Sequence, residues 1–224
     1  MRLVFTAFFV VLLMSAAAIA QPANGSRDSA PRPPIPKTVY LDSDGNEISN
    51  NEFVDIRMAN PNYPDRTLQR IRPDGTIEFR LQKIGQEGMQ VQDFTVRTVE
   101  GKEISYEQLR GKVVVLNFWF IGCPICRAMT PNLNEFAARY ADNNDVVFLA
   151  MTEDPAADVK KYLANNKFDY AQAADARDVL KTFAISGYPK NVVISKTGEI
   201  VYWRTTIKAW DKFASVVQAE LDKQ

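Results

Sequence analysis

Cys123 and Cys126 are the only two cysteines in a chain of 224 residues, and two residues lie between them. Sulfurs at this spacing can exchange with a disulfide elsewhere: a thiolate on one attacks, and the other resolves the mixed disulfide. Structural disulfides of small exported proteins usually close longer loops and come in greater number, so this pair is not a folding framework. Two blander readings stand beside exchange, a pair of inert core cysteines or half of a zinc site. The zinc site would need two further soft or imidazole ligands, and the chain has no other cysteine and no histidine. The absence of histidine also removes Ser-His-Asp and Cys-His nucleophile systems, H-E-x-x-H metalloproteases and histidine-ligated haem within this chain.

The elements around the pair suit this chemistry. Val113 to Phe120 (VVVLNFWF) is apolar on both faces apart from Asn117, as a central strand covered on both sides requires. A helix from Cys123 to about Tyr140 carries Leu133, Phe136, Ala137 and Tyr140 at helical spacing. Cys123 thus falls at a strand-to-helix junction, where unpaired amide N–H groups and the positive helix end stabilise a thiolate. Pro124 is tolerated in the first turn because its missing N–H has no partner there. One turn further in, Cys126 is expected to be the more buried sulfur. Phe120, Ile121 and Ile125 flank the reactive sulfur of Cys123, either as an apolar docking patch or as core.

Further elements follow. A first strand is expected over Met89 to Val96, a helical turn over Ser105–Leu109, and a strand at Val146–Met151. Helices are expected at 155–165, with Pro155 in the first turn, and around Asp175–Ala184. Strands Asn191–Ile194 and Ile200–Arg204 flank the turn Lys196-Thr197-Gly198-Glu199. A last helix presents Trp210, Phe213, Val217 and Leu221 on one stripe. This order predicts an α/β fold, a mixed sheet flanked by helices, over residues 85–224.

Upstream, residues 37–84 read as a small, mainly β segment. One hairpin is expected across Asp42-Ser43-Asp44-Gly45 and another around Arg72-Pro73-Asp74-Gly75, running into a strand from Thr76 to Ile84. Asn60 to Pro64 is loop-like. Asp42, Asp44 and Asn46 resemble the start of a calcium loop, but the glycine and terminal glutamate are misplaced. Residues 21–36, rich in Pro, Ala and Ser, read as a flexible linker.

Residues 1–20 carry Arg2, an apolar run from Leu3 to Met14 and the A-x-A pattern Ala18-Ile19-Ala20, which predicts a signal peptide cleaved after Ala20. The alternative is a retained anchor, since the run is nearly long enough to span a bilayer; only then would the protein touch the membrane. Either way the remainder lies outside the cytoplasm, in a periplasm or cell envelope. Removing these residues leaves 26 basic against 27 acidic residues, a balance that gives no field for nucleic acid or anionic lipid.

Residues 85–224 resemble the TlpA/ResA-like thiol-disulfide oxidoreductases of the thioredoxin superfamily. The resemblance is carried by Gly88-Met89-Gln90-Val91-Gln92-Asp93-Phe94, by Leu109 to Trp119 (LRGKVVVLNFW) leading into Cys123-Pro124-Ile125-Cys126, by Pro131, and by Gly187-Tyr188-Pro189. It implies a thioredoxin-like fold, catalytic Cys123 and Cys126, and a cis Pro189 opposite Cys123. It implies disulfide reduction in exported proteins, cytochrome c maturation components among them, with electrons restored by a membrane thiol carrier. No organic cofactor or metal is implied. The chain departs from the family at three positions: Met129 stands where a glutamate is usual, Asn117 where thioredoxins carry a buried aspartate, and Gly122 where most relatives have tryptophan. A carboxylate near Cys126 would accept its proton during resolution. Glu153 is the candidate substitute, with Asp154 beside it, although both are equally explained as solvated residues at the start of the next helix. Run backwards, the same dithiol is a disulfide donor. A binding or assembly protein with a vestigial redox domain and a peroxidase are the remaining alternatives.

Overall fold

The computed structural model describes residues 35–59 and 67–223, so the signal peptide expected at 1–20 lies outside the described residues, as does nearly all of the linker. Both hairpins expected in the N-terminal segment form. β1 (Thr38–Leu41) pairs antiparallel with β2 (Glu47–Ile48). Asp42 closes their turn: its Oδ1 accepts the backbone N–H groups of Asp44 and Asn46, both at 2.9 Å. The Asp42 carboxylate, first of the residues that resemble a calcium loop, is thus engaged in holding the turn. α1 (Asn50–Ala59) follows, then β3 (Thr67–Ile71) and β4 (Ile77–Leu81), which form the second hairpin. β1 also pairs parallel with β4, giving a sheet ordered β2-β1-β4-β3.

The segment is therefore not purely β, and α1 is the element the sequence pattern hides. Ser49 caps it, accepting the Glu52 N–H at 3.1 Å. Phe53, Ile56 and Ala59 are buried, but so is Asp55, which breaks the apolar stripe by which an amphipathic helix is recognised.

β5 (Thr95–Arg97) and β6 (Glu103–Ser105) pair with each other, and a 3₁₀ turn covers Tyr106–Leu109. Then come β7 (Val113–Phe118), α2 (Pro124–Ala138), β8 (Val146–Met151), α3 (Ala156–Leu163), β9 (Ala171–Ala173), α4 (Arg177–Thr182), β10 (Lys190–Ile194), β11 (Ile200–Arg204) and α5 (Trp210–Asp222). The five-stranded sheet runs β11-β10-β7-β8-β9. β7, β8 and β9 are parallel, and β10 is antiparallel to both β7 and β11. This is the expected thioredoxin-like mixed sheet flanked by helices.

The expected first strand over Met89–Val96 does not form as one element. Gln90 makes a single bridge to Glu199, and regular pairing begins only at Thr95. The central strand ends at Phe118, two residues before its expected end, because Trp119 and Phe120 enter the loop before Cys123. β9, not expected, is a three-residue AQA strand with no β-branched residue, formed by pairing with β8. Pro155 is the N-cap of α3, one position before its expected place.

β7 is buried on both faces, and alternation along it divides the core. Val114, Leu116 and Phe118 pack with α4, β5, β6 and α1, whereas Val113 and Val115 pack with α2, α3 and α5. Residues from Pro36 onward form one compact unit, so the N-terminal segment is built into the main body. Asp55, 1% exposed, joins the two. Its carboxylate accepts the Thr206 hydroxyl at 2.9 Å and the backbone N–H groups of Lys208 and Ala209 at 2.7 and 2.9 Å, capping the start of α5 from another element. At the sheet edge, Glu87 accepts the Trp203 N–H at 3.0 Å and pairs with Arg204, covering groups that β11 would otherwise leave open.

Candidate active site

β7 delivers the chain to the redox turn. After Phe118 the Trp119 N–H still bonds the Met151 carbonyl at 3.1 Å, and its ring packs against Tyr162 and Phe168. Residues 120–123 then close a turn, the Cys123 N–H donating to the Phe120 carbonyl at 3.1 Å. Cys123 is the N-cap of α2, with extended backbone and Pro124 following, and its Sγ accepts the Cys126 N–H at 3.1 Å. A sulfur there receives the otherwise orphaned amide of the first turn and sits at the positive helix end, the environment that lowers a thiol pKa. Cys123 and Cys126 form a disulfide. The expectation that Cys126 is the more buried is corrected: Cys123 is 3% exposed and Cys126 4%. Phe120, Ile121, Met129 and Tyr188 pack against the cluster holding both sulfurs, so the first cysteine is covered as well.

Gly122 accounts for part of that cover. A Cβ at this position would lie 3.1 Å from Cε2 of Phe120, so the missing side chain is what lets the Phe120 ring lie against the turn. That ring meets Tyr188 edge-on, with centroids 5.1 Å apart. Ile125, beside the sulfurs, is 56% exposed. The flanking residues thus divide, Ile125 facing solvent while Phe120 and Ile121 are half-buried.

The Tyr188–Pro189 peptide bond is cis. Lys190, the next residue, pairs with Phe118 at the end of β7, so Pro189 belongs to the same end of the sheet as the redox turn. Burial pushes the Tyr188 hydroxyl pKa up, and the negative charges of Glu153 and Asp154 push it further.

Beneath the disulfide runs a chain of uncharged groups. Asn117 donates through Nδ2 to Oδ1 of Asn191 at 2.9 Å, and Asn191 Nδ2 approaches Sδ of Met129 at 3.6 Å. Two of the three positions at which the chain departs from the family pattern are therefore joined through one residue. Asn191 was not singled out in the sequence; its signal was a lone amide in the otherwise apolar strand NVVI.

The carboxylates after β8 diverge. Glu153 is half-exposed and pairs with Arg177 of α4 at 3.4 Å. Asp154 turns to the redox turn: its Oδ2 accepts the Ile121 N–H at 2.7 Å and the Thr152 hydroxyl at 2.8 Å. Among the described residues no group of three or more His, Cys, Asp or Glu is arranged to hold a metal, and no helix is long and apolar enough to cross a membrane.

A model of the Redoxin family matches residues 86–218. The chain is 28% identical over 117 residues to the thioredoxin-like protein YneN of Bacillus subtilis, covering 51% of this chain and 69% of that one. It is 27% identical over 115 residues to the thiol-disulfide oxidoreductase ResA of Bacillus cereus, covering 51% and 66%. Among solved structures, a putative protein disulfide isomerase from Bacteroides thetaiotaomicron superposes with a TM-score of 0.54 at 28% identity, over 59% of this chain and 86% of that one. The Redoxin match spans the disulfide, the helix it caps and the cis proline, and on this ground the protein belongs to the Redoxin family, with a thioredoxin fold built for thiol-disulfide chemistry.

Proposed function

We propose that this protein is an extracytoplasmic thiol-disulfide oxidoreductase of the TlpA/ResA-like kind that reduces disulfides in exported proteins. The observation that carries this reading is the Cys123–Cys126 disulfide at the N-terminus of α2. In the dithiol form the Cys123 thiolate attacks one sulfur of a client disulfide, forming a mixed disulfide and expelling a client thiolate, which takes up a proton. Cys126, losing its own proton, attacks Sγ of Cys123 and expels the second client thiolate. Two electrons pass to the client, and the disulfide described above is the product. A membrane thiol carrier then returns the electrons. The leader-like residues 1–20 support an extracytoplasmic location.

Turnover of a model protein disulfide such as insulin by residues 21–224, with dithiothreitol as the reductant, tests the reading. Cys123→Ser is expected to abolish it, whereas turnover by the variant at the wild-type rate removes the enzyme reading. The potential of the pair sets direction: a value below about −200 mV supports the reductase, and one near about −120 mV makes the protein a disulfide donor.

A further inference from the structure

The turn that presents Cys123 is hydrogen-bonded to a side chain outside its own chain segment. The Ile121 N–H, two residues before the sulfur, donates to Oδ2 of Asp154 at 2.7 Å, the same oxygen that accepts the Thr152 hydroxyl at 2.8 Å. Asp154 is itself fixed, since its backbone N–H donates to Thr152 Oγ1 at 3.1 Å and its carbonyl accepts the Asp175 N–H at 3.0 Å. The carboxylate is thus aimed before the turn meets it. It also lies close enough to the loop carrying Pro189 to act on Tyr188, whose ring touches Phe120 of the same turn.

We propose that Asp154 is a positioning residue for the redox reaction, holding the turn through the Ile121 amide and setting a negative charge on that turn, two residues before the cysteine that becomes the attacking thiolate. This rests on the function proposed above and deepens it. The two effects have separable consequences. The hydrogen bond fixes where Cys123 points. The charge opposes the positive helix end, raising the free energy of the thiolate and so of the reduced form, which makes the pair a stronger reductant. Other charged or titratable groups near the turn and Asp154 include Glu153, neutralised in part by Arg177 of α4, Tyr188 of the loop before β10, Arg127, exposed one turn along α2, and Asp175, whose carboxylate accepts the Ala156 N–H at 3.1 Å. With Glu153 paired, Asp154 is the carboxylate bonded directly to the turn.

The test is the pH profile of Cys123 alkylation by iodoacetamide in the reduced protein, together with the equilibrium of the pair against dithiothreitol. Neither readout requires a client, so both remain informative if insulin turnover by the wild type fails and with it the functional reading. Asp154→Asn keeps an oxygen for the Ile121 N–H and removes the charge. Its profile is expected to move to lower pH and its equilibrium about threefold toward the dithiol, the scale of one screened charge. Asp154→Ala is expected to show the same shift and a lower alkylation rate at the high-pH plateau, which Asn restores. Thr152→Val keeps the charge and loosens its aim, giving a smaller change of the same sign. Superposition of the Asn and wild-type profiles, with equal equilibria, overturns the role of the charge. Equal plateau alkylation rates for the Ala and Asn variants overturn the role of the hydrogen bond.

Discussion

Lys190 and Asn191 are neighbours on β10, and alternation sends them to opposite faces of the sheet. Asn191 faces α2 and joins Asn117 and Met129 in a neutral chain beneath the disulfide. Lys190 faces the other way: its Nζ donates to the Thr205 hydroxyl at 2.8 Å and lies 5.5 Å from the centroid of the Trp203 ring. The Thr205 hydroxyl in turn donates to the Met58 carbonyl of α1 at 3.2 Å. One face thus pairs Asn117 and Asn191 amide to amide and adds no charge under the sulfurs. The other tolerates a buried cation and, through Asp55, a buried anion, and uses them to fasten the N-terminal segment. Charge buried under a thiolate would act on it directly, while charge across the sheet mainly affects folding.

If the faces divide the work in this way, Asp55→Ala should cost the most. It strips the hydroxyl of Thr206 and the amides of Lys208 and Ala209 of their acceptor, so a loss of about 3 kcal/mol in denaturant unfolding is expected. The equilibrium of the cysteine pair with dithiothreitol should stay unchanged; a shift there would show that the fastening face also tunes the redox face.

Lys190 predicts a pH signature. Burial first, and then the positive charge of Arg204, lower its pKa from the ordinary 10.5 to about 8. Between these values the unfolded chain holds a proton that the folded chain has lost, so stability rises with pH, by at most about 1.4 kcal/mol per unit, and the contribution disappears as pH falls through 8. Tyr170 and Tyr202, whose pKa values burial raises, act in the opposite sense above pH 10, where the unfolded tyrosines ionise first. Thermal unfolding of the oxidised protein should therefore show rising stability from pH 8 to about 10, and Lys190→Met should flatten that rise. A slope surviving in the variant would assign it elsewhere.

The smallest effect is expected on the redox face. In Gly122→Ala the new Cβ meets the Phe120 ring at 3.1 Å, so the ring must give way by a few tenths of an ångström. Stability should fall by less than about 1 kcal/mol, while alkylation of Cys123 in the reduced protein should become faster. An unchanged alkylation rate would mean that Phe120 does not limit access to the sulfur.

Much of this arrangement is legible in the residues. The apolar run of β7, interrupted only by Asn117, the N-terminal position of Cys123 on a helix and the Gly187-Tyr188-Pro189 loop are local patterns, and each is found within two residues of where it is expected. Two regions resist such reading. Residues 50–59 hide a helix because the buried Asp55 interrupts its apolar stripe, and that burial makes sense only once the start of α5 is beside it. The stretch Met89–Val96 has strand-like composition, but apart from Gln90's bridge to Glu199 its first regular partner is β6, and composition does not specify a partner.

The chemistry available to the chain was decided by residue types and their spacing: no histidine, two cysteines with two residues between them, and a strand-to-helix junction whose orphan amides favour a thiolate. Which carboxylate reaches that junction was decided by the tertiary structure. Glu153 and Asp154 are adjacent and alike in composition, yet one pairs with Arg177 and the other accepts the Ile121 amide. The direction of each side chain depends on how the chain leaves β8 and enters α3, and on which loop the packed sheet brings alongside, and neither is written in the two residues themselves.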